Sequence, residues 1–342
     1  MSKPSYDEEV ARHPHDGLVK RIFTQPEAAA VELRQALSPV LARRLDWETL
    51  RVEPGSFVDS ELKPTHSDIL YSVDLEASVH RALVFVLMEH QSTPDRMMAV
   101  RFLGYAHRVY DRYLGQNKGA ETIPLLVPLL LYQGPSGWTM PCRLSDLIDL
   151  PPDLRGAMPA PIELVFGVDD LSESVVGEQI THDQLVRDRG LALAEAARTL
   201  LWLVHHAESS NGERAGRLPR YIDTIATTWG EAELRALGTY VVSAFDPRSP
   251  VRGILAESTQ REASQLYRTI KDELIATGMA EGRAEGQTKG IALMVERLLI
   301  KRDLGLTDEL RARLTDCEDD ALLQRWFDRA VTATTLDEVF SD

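Results

Sequence analysis

The sequence predicts a mixed α/β core followed by an all-helical C-terminal region, and three features carry that expectation. Segments rich in β-formers recur at 66–75, 81–91 and 123–132. Between the second and third lies a long stretch, 93–117, with the period of an amphipathic helix. From about residue 183 onward the apolar spacing is helical almost throughout. At 342 residues the chain is long enough for two or three domains, each with its own core.

Residues 14–45, "PHDGLVKRIFTQPEAAAVELRQALSPVLARRL", have helical periodicity broken at Pro26 and Pro39, which predicts two helices. "HSDILYSVDL" (66–75) and "RALVFVLMEHQ" (81–91) are strands joined by a short polar piece, hence an antiparallel hairpin. With the turn centred between Ser78 and Val79, paired positions sum to 157 and Asp68 faces Glu89.

Along the second strand Phe85, Leu87, Glu89 and Gln91 share one side, and Val84, Val86, Met88 and His90 the other. Both sides are apolar until Glu89, the pattern of a central strand covered on both faces. A carboxylate at the rim of such a strand stays charged only when it is paired or holds a metal. Two acids roughly 5 Å apart across neighbouring strands repel each other. A divalent cation reverses that sign, an Arg or Lys neutralises it, and turning one acid to solvent avoids it; the residues alone leave these alternatives open.

The stretch "TPDRMMAVRFLGYAHRVYDRYLGQN" predicts a helix with Thr93 as N-cap and Pro94 at its first position. Phe102, Ala106, Val109 and Tyr113 form its apolar face. Arg101, Tyr105, Arg108 and Arg112 form a basic stripe, readable as a solvated face or as a phosphate-contacting surface. "ETIPLLVPLLLYQGPSGW" (121–138) reads as a buried strand with its exit turn, and "PIELVFGVDDL" (161–171) as one more strand. "LVRDRGLALAEAARTLLWLVHHAES" (185–209) reads as one helix, followed by "RYIDTIATTW" and "AELRALGTYVVSAF" as two others. His205 and His206 are adjacent, point to different helix faces and make a poor metal pair.

Glycines stand at 278, 282, 286 and 290. Each costs a helix interior about 1 kcal/mol relative to Ala. The spacing is read either as a close contact between helices or as a hinge. Three more helical segments close the chain.

The formal net charge of −15 argues at first against nucleic acid, since phosphate binding draws on Lys and Arg. Residues 1–120, however, hold 15 basic against 17 acidic residues, while the remainder hold 23 against 36, so the acidity lies downstream of the hairpin. Cys142 and Cys317, far apart and without CxxC spacing, suggest neither a disulfide framework nor a cysteine zinc site. The N-terminus lacks the order of a signal peptide, and the longest apolar run is too short to span a bilayer. A cytoplasmic location is expected.

"HDGLVKRIF", "GSFVDSELKPTHSDILYSV", "EHQSTPDRMMAVRFLGYAHRVYDRYL" and "PLLVPLLLYQGPSGW", in that order, resemble the recombination-promoting nuclease/YhgA-like transposase family over roughly residues 12–170. The glycine-repeat segment and helical end are also similar to tails found in that family. The resemblance implies a restriction-endonuclease-like PD-(D/E)XK core, a mixed central sheet flanked by helices, acting as a DNA endonuclease in recombination or mobile-element transfer. Asp68 then matches the first acid, Glu89 the second, and Gln91 stands where the superfamily usually has lysine. Asp16 matches an acid of the first helix that joins the site. Mg²⁺ is the implied cofactor, held by Asp68, Glu89 and the backbone carbonyl of His90.

Glutamine orients water but brings no charge, so the general base is unassigned, and Lys20 and Lys63 are nearby sources of a positive charge. DNA is the implied partner, contacted through Arg101, Tyr105, Arg108 and Arg112. The expected organisation is a nuclease domain at 12–175, a helical extension at 176–255 and a tail at 256–342 that forms a homo-oligomer. The rival expectations are a catalytically silent DNA-binding or regulatory protein with the same fold, and an oligomeric scaffold.

Overall fold

Proline opens the first two helices, where its missing N–H is not needed and its fixed φ suits the first turn. α1 is Pro14–Phe23 and α2 is Pro26–Ala36. The structure, a computed structural model, describes residues 13–53, 69–75, 83–149, 151, 162–172, 180–206, 213–256, 261–317 and 319–341.

Five strands follow in sheet order: β1 Leu45–Val52, β2 Ile69–Leu75, β3 Leu83–Gln91, β4 Leu125–Tyr132 and β5 Gly167–Asp170. β1, β2 and β3 pair antiparallel, and β3, β4 and β5 pair parallel. A parallel pair needs a crossover, and α3, Met98–Gln116, supplies it between β3 and β4. The fold is therefore mixed α/β.

Four sequence expectations change here. β1 was not foreseen, because "LDWETLRV" carries charges and its burial alternates only loosely along an edge strand. α3 begins at Met98 and not at Pro94, since Asp95 accepts a hydrogen bond from the Met97 N–H at 2.8 Å and turns the chain before the helix. β5 is shorter than expected, covering Gly167–Asp170. The single helix expected over 185–209 is broken in two, α4 His182–Arg187 and α5 Arg189–Leu203. Asp188 ends the first and caps the second, accepting from the Gly190 N–H at 3.1 Å. Gly190 sits so close to α2 that a Cβ there would lie 2.1 Å from the Glu27 carbonyl oxygen.

The two faces of the sheet are covered differently. Ile69, Tyr71, Val73, Met88, Leu129 and Leu131 join α1, α2 and α5 in one core, which extends to α6 Leu218–Thr228 and α7 Glu231–Ala244. Leu70, Leu130 and Tyr132 face Met98, Phe102, Tyr105 and Val109 of α3 in a second core. Residues Met1–Lys271 form one compact unit and Asp272–Asp342 another, so α5 to α7 share a unit with the sheet. The long helix α8, Arg261–Lys301, runs unbroken through all four spaced glycines. The second unit has its own core around Val295, Leu299, Leu323 and Trp326.

One ion-pair network links α2, α5 and β5. Arg198 donates through Nη1 to Glu32 at 2.8 Å and to Asp169, and through Nη2 to Asp169 at 3.2 Å. Glu32 is wholly buried. Burial pushes its carboxyl well above the usual carboxylate range, against the pull of Arg198. Burial acts on Asp169 in the same sense, but Arg198 outweighs it and holds that carboxyl low. Asp169 thus carries the negative charge of the pair. Arg198→Met should lower unfolding free energy by about 3–5 kcal/mol, because it strands a buried charge. Glu32→Gln, which keeps the shape and leaves the charge on Asp169, should cost about 1 kcal/mol or less; urea denaturation of both variants measures the difference.

Candidate functional site

β2 and β3 pair as Ile69↔Met88, Leu70↔Leu87 and onward to Asp74↔Leu83. Each pair sums to 157, the register expected from the hairpin. Asp68 and Lys63 lie outside the described residues, as does the side chain of Glu89. The backbone of Glu89 pairs with Leu130 and that of Gln91 with Tyr132. Leu130 and Tyr132 belong to the core under α3, so strand positions 89 and 91 register with that face of the sheet.

Gln91 ends β3 half-buried, and its carbonyl accepts from the Gln133 N–H at 2.8 Å. Carbonyls alternate sides along a strand, which leaves the carbonyl of His90 on the β2 side.

The His90 ring faces the other way. It is almost wholly buried, with Nδ1 3.0 Å from Asp16 Oδ1 and Nε2 3.2 Å from Gln133 Oε1. Gln133 Nε2 donates to the Leu201 carbonyl at 2.9 Å. Asp16, expected beside the two strand acids, is therefore hydrogen-bonded to His90 on the α1 side of the sheet. Lys20 is half-buried in the last turn of α1. Among the described residues no group of three His, Cys, Asp or Glu side chains could hold a metal ion.

Sequence reasoning missed the rest of this polar group. His15 Nδ1 lies 2.9 Å from the Tyr240 hydroxyl, with the rings edge to face. His205 stands close enough to His15 to oppose its charge, and burial raises the pKa of the Tyr240 hydroxyl well above its usual value. His206 instead stacks on Trp202 with its Nδ1 2.9 Å from the Trp202 carbonyl oxygen. Gln133 was the available signal, since it ends the apolar run "PLLLYQ" as Glu89 ends its own.

Of the expected basic stripe on α3, Arg101, Arg108 and Arg112 are half-buried. Tyr105 is turned into the core, 3% exposed, and accepts a hydrogen bond from Arg101 at 3.4 Å. Arg101 also pairs with Asp95 at 3.4 Å, and Arg108 lies over the Tyr105 ring at 5.8 Å. Tyr105 thus sits beneath the arginines and not among them. No helix of the described residues is long and apolar enough to cross a membrane.

Residues 13–227 match the YhgA-like transposase family. The chain is 37% identical over 318 residues to the inactive recombination-promoting nuclease-like protein RpnE of Escherichia coli strain K12, covering 91% of this chain and 98% of that protein. It is 32% identical over 185 residues to recombination-promoting nuclease RpnD of Escherichia coli O157:H7, covering 53% and 65%. Over 121 residues it is 36% identical to recombination-promoting nuclease RpnA of strain K12, covering 35% and 40%. No solved structure matches the chain significantly.

Burial, with His90 and His205 nearby, lowers the His15 pKa from 6.5 to about 4. The unfolded chain therefore binds more protons than the folded one between pH 4 and 6.5, so stability rises with pH across that window. Acidification from pH 6.5 through 4 should remove up to about 3 kcal/mol of stability. His15→Gln, which keeps a partner for Tyr240 and does not titrate, should flatten that slope in urea unfolding measured from pH 4 to 7.

Proposed function

Since the chain belongs to the YhgA-like transposase family, we propose that it is a Mg²⁺-dependent DNA endonuclease of PD-(D/E)XK type, serving recombination or mobile-element transfer. The names of RpnD and RpnA support the nuclease role. The observation that supports the reading is the β2–β3 register, whose pairs from Ile69↔Met88 to Asp74↔Leu83 keep the sum of 157 on which the sequence expectation of Asp68 opposite Glu89 was built.

The donor chemistry suits the ion. Two carboxylates, a main-chain carbonyl and waters are the oxygen set that Mg²⁺ takes. Asp68, Glu89 and the His90 carbonyl would hold it, the Gln91 carbonyl being occupied by Gln133. When bound, the ion polarises a phosphoryl oxygen and lowers the pKa of a coordinated water. Gln91 orients that water by its amide, without adding charge. Asp16 serves the site from the α1 side through His90. Arg101, Arg108 and Arg112 lie on the helix that covers the face of positions 89 and 91, where they hold the DNA backbone with Tyr105 packed beneath. The unbroken helix through glycines 278 to 290 suits a tail that pairs two copies and so presents two sites to one duplex.

A second reading, a silent DNA-binding protein of the same fold, is favoured by the name of RpnE, which matches over nearly its whole length. Plasmid cleavage with Mg²⁺ and with EDTA separates the two. Asp68→Ala and Glu89→Ala should each reduce cleavage to the EDTA level with circular dichroism unchanged; cleavage at the wild-type rate by either folded variant overturns the assignment. Replacing Arg101, Arg108 and Arg112 together by Ala should reduce the slope of log K against log salt for DNA binding in Ca²⁺. The expected change is about 0.9 per lost phosphate contact.

A further inference from the structure

His90 is set between two proposed site positions, yet its ring is directed away from them. A buried imidazole needs partners for its polar atoms, and here they come from two different elements, Asp16 on α1 and Gln133 just beyond β4. The orientation of the Gln133 amide follows from its neighbours. Its Nε2 donates to the Leu201 carbonyl, so Oε1 is turned to His90 and accepts from the ring. Asp16 Oδ1 lies 3.0 Å from the other ring nitrogen. Gln133 is itself fixed once more, through its backbone N–H to the Gln91 carbonyl. One ring thus ties the rim of β3 to α1, and through Gln133 to the end of β4 and to α5.

We infer that His90 is a positioning residue for metal binding: bridging Asp16 and Gln133, it fixes the rim of β3 so that positions 89 and 91 hold their angle toward the cation. The inference rests on the nuclease reading above. A valine at 90 would fill the same strand position but leave Asp16 and Gln133 without their bridge. Groups behind the ligands orient them, and their loss typically lowers metal affinity or activity by about 10- to 100-fold.

Two variants separate positioning from bulk stability. His90→Asn keeps a donor near the Nδ1 place, facing Asp16, and His90→Gln keeps one near the Nε2 place, facing Gln133; neither spans both. Full-length wild type and both variants are titrated with Mn²⁺ alone by calorimetry, at a temperature where circular dichroism shows all three folded, and plasmid cleavage is followed in parallel. The expected result is Mn²⁺ binding weakened about 10-fold or more in both variants, with cleavage recovering as Mn²⁺ is raised. Wild-type Mn²⁺ affinity in both folded variants overturns the inference and leaves the nuclease reading standing. Failure of wild type itself to bind Mn²⁺ overturns that reading and this inference together.

Discussion

β3 and β4 are apolar along both faces, and the rest of the first unit follows from having to cover them. They pair in parallel, so the chain must leave the sheet and return, and α3 makes that crossover while covering one face. The opposite face needs a second layer, which α1 and α2 begin and α5 completes. On β3 and β4 polar side chains then stand where the apolar coverage stops, at the strand ends. That is where Gln91, His90 and Gln133 stand.

The covering layer draws on distant parts of the chain. α5 packs against α2 closely enough to require glycine at 190, and Arg198 reaches from α5 to both Glu32 and Asp169. A second link joins Arg21 of α1 to Glu233 of α7 at 2.9 Å. The first unit accordingly runs to Lys271, well beyond the strands. Helices that read in sequence as an appendage are the back wall of the sheet, and they anchor Gln133 through the Leu201 carbonyl.

The two faces of β3 also divide the labour of the candidate site. Positions 89 and 91 register with the α3 face, which carries the arginines, whereas His90 and Asp16 meet on the α1 face. The meeting of Asp16 with His90 is a contact that sequence order alone could not place. A motif spacing specifies which residues come close along a strand, but which face a helix approaches depends on packing. Tyr105 gives the same lesson on α3, since its helical spacing matches the arginines while its ring belongs to the core.

The sequence by itself determined the strands with strong apolar content, the helices with clear period, the hairpin register and the residues of the E-x-Q rim, because these depend on local alternation and on spacing within one or two elements. It did not determine β1, whose mixed composition acquires a strand conformation only beside β2. It gave no sign of the break at Asp188, where the competing demands of α4 and α5 are settled by packing against α2. The cluster of His15, Asp16, His90, Gln133 and Tyr240 spans 226 positions of the chain, from 15 to 240. Only the tertiary structure could assemble it, because a buried hydrogen bond between residues so far apart is decided by which surfaces the apolar core brings together.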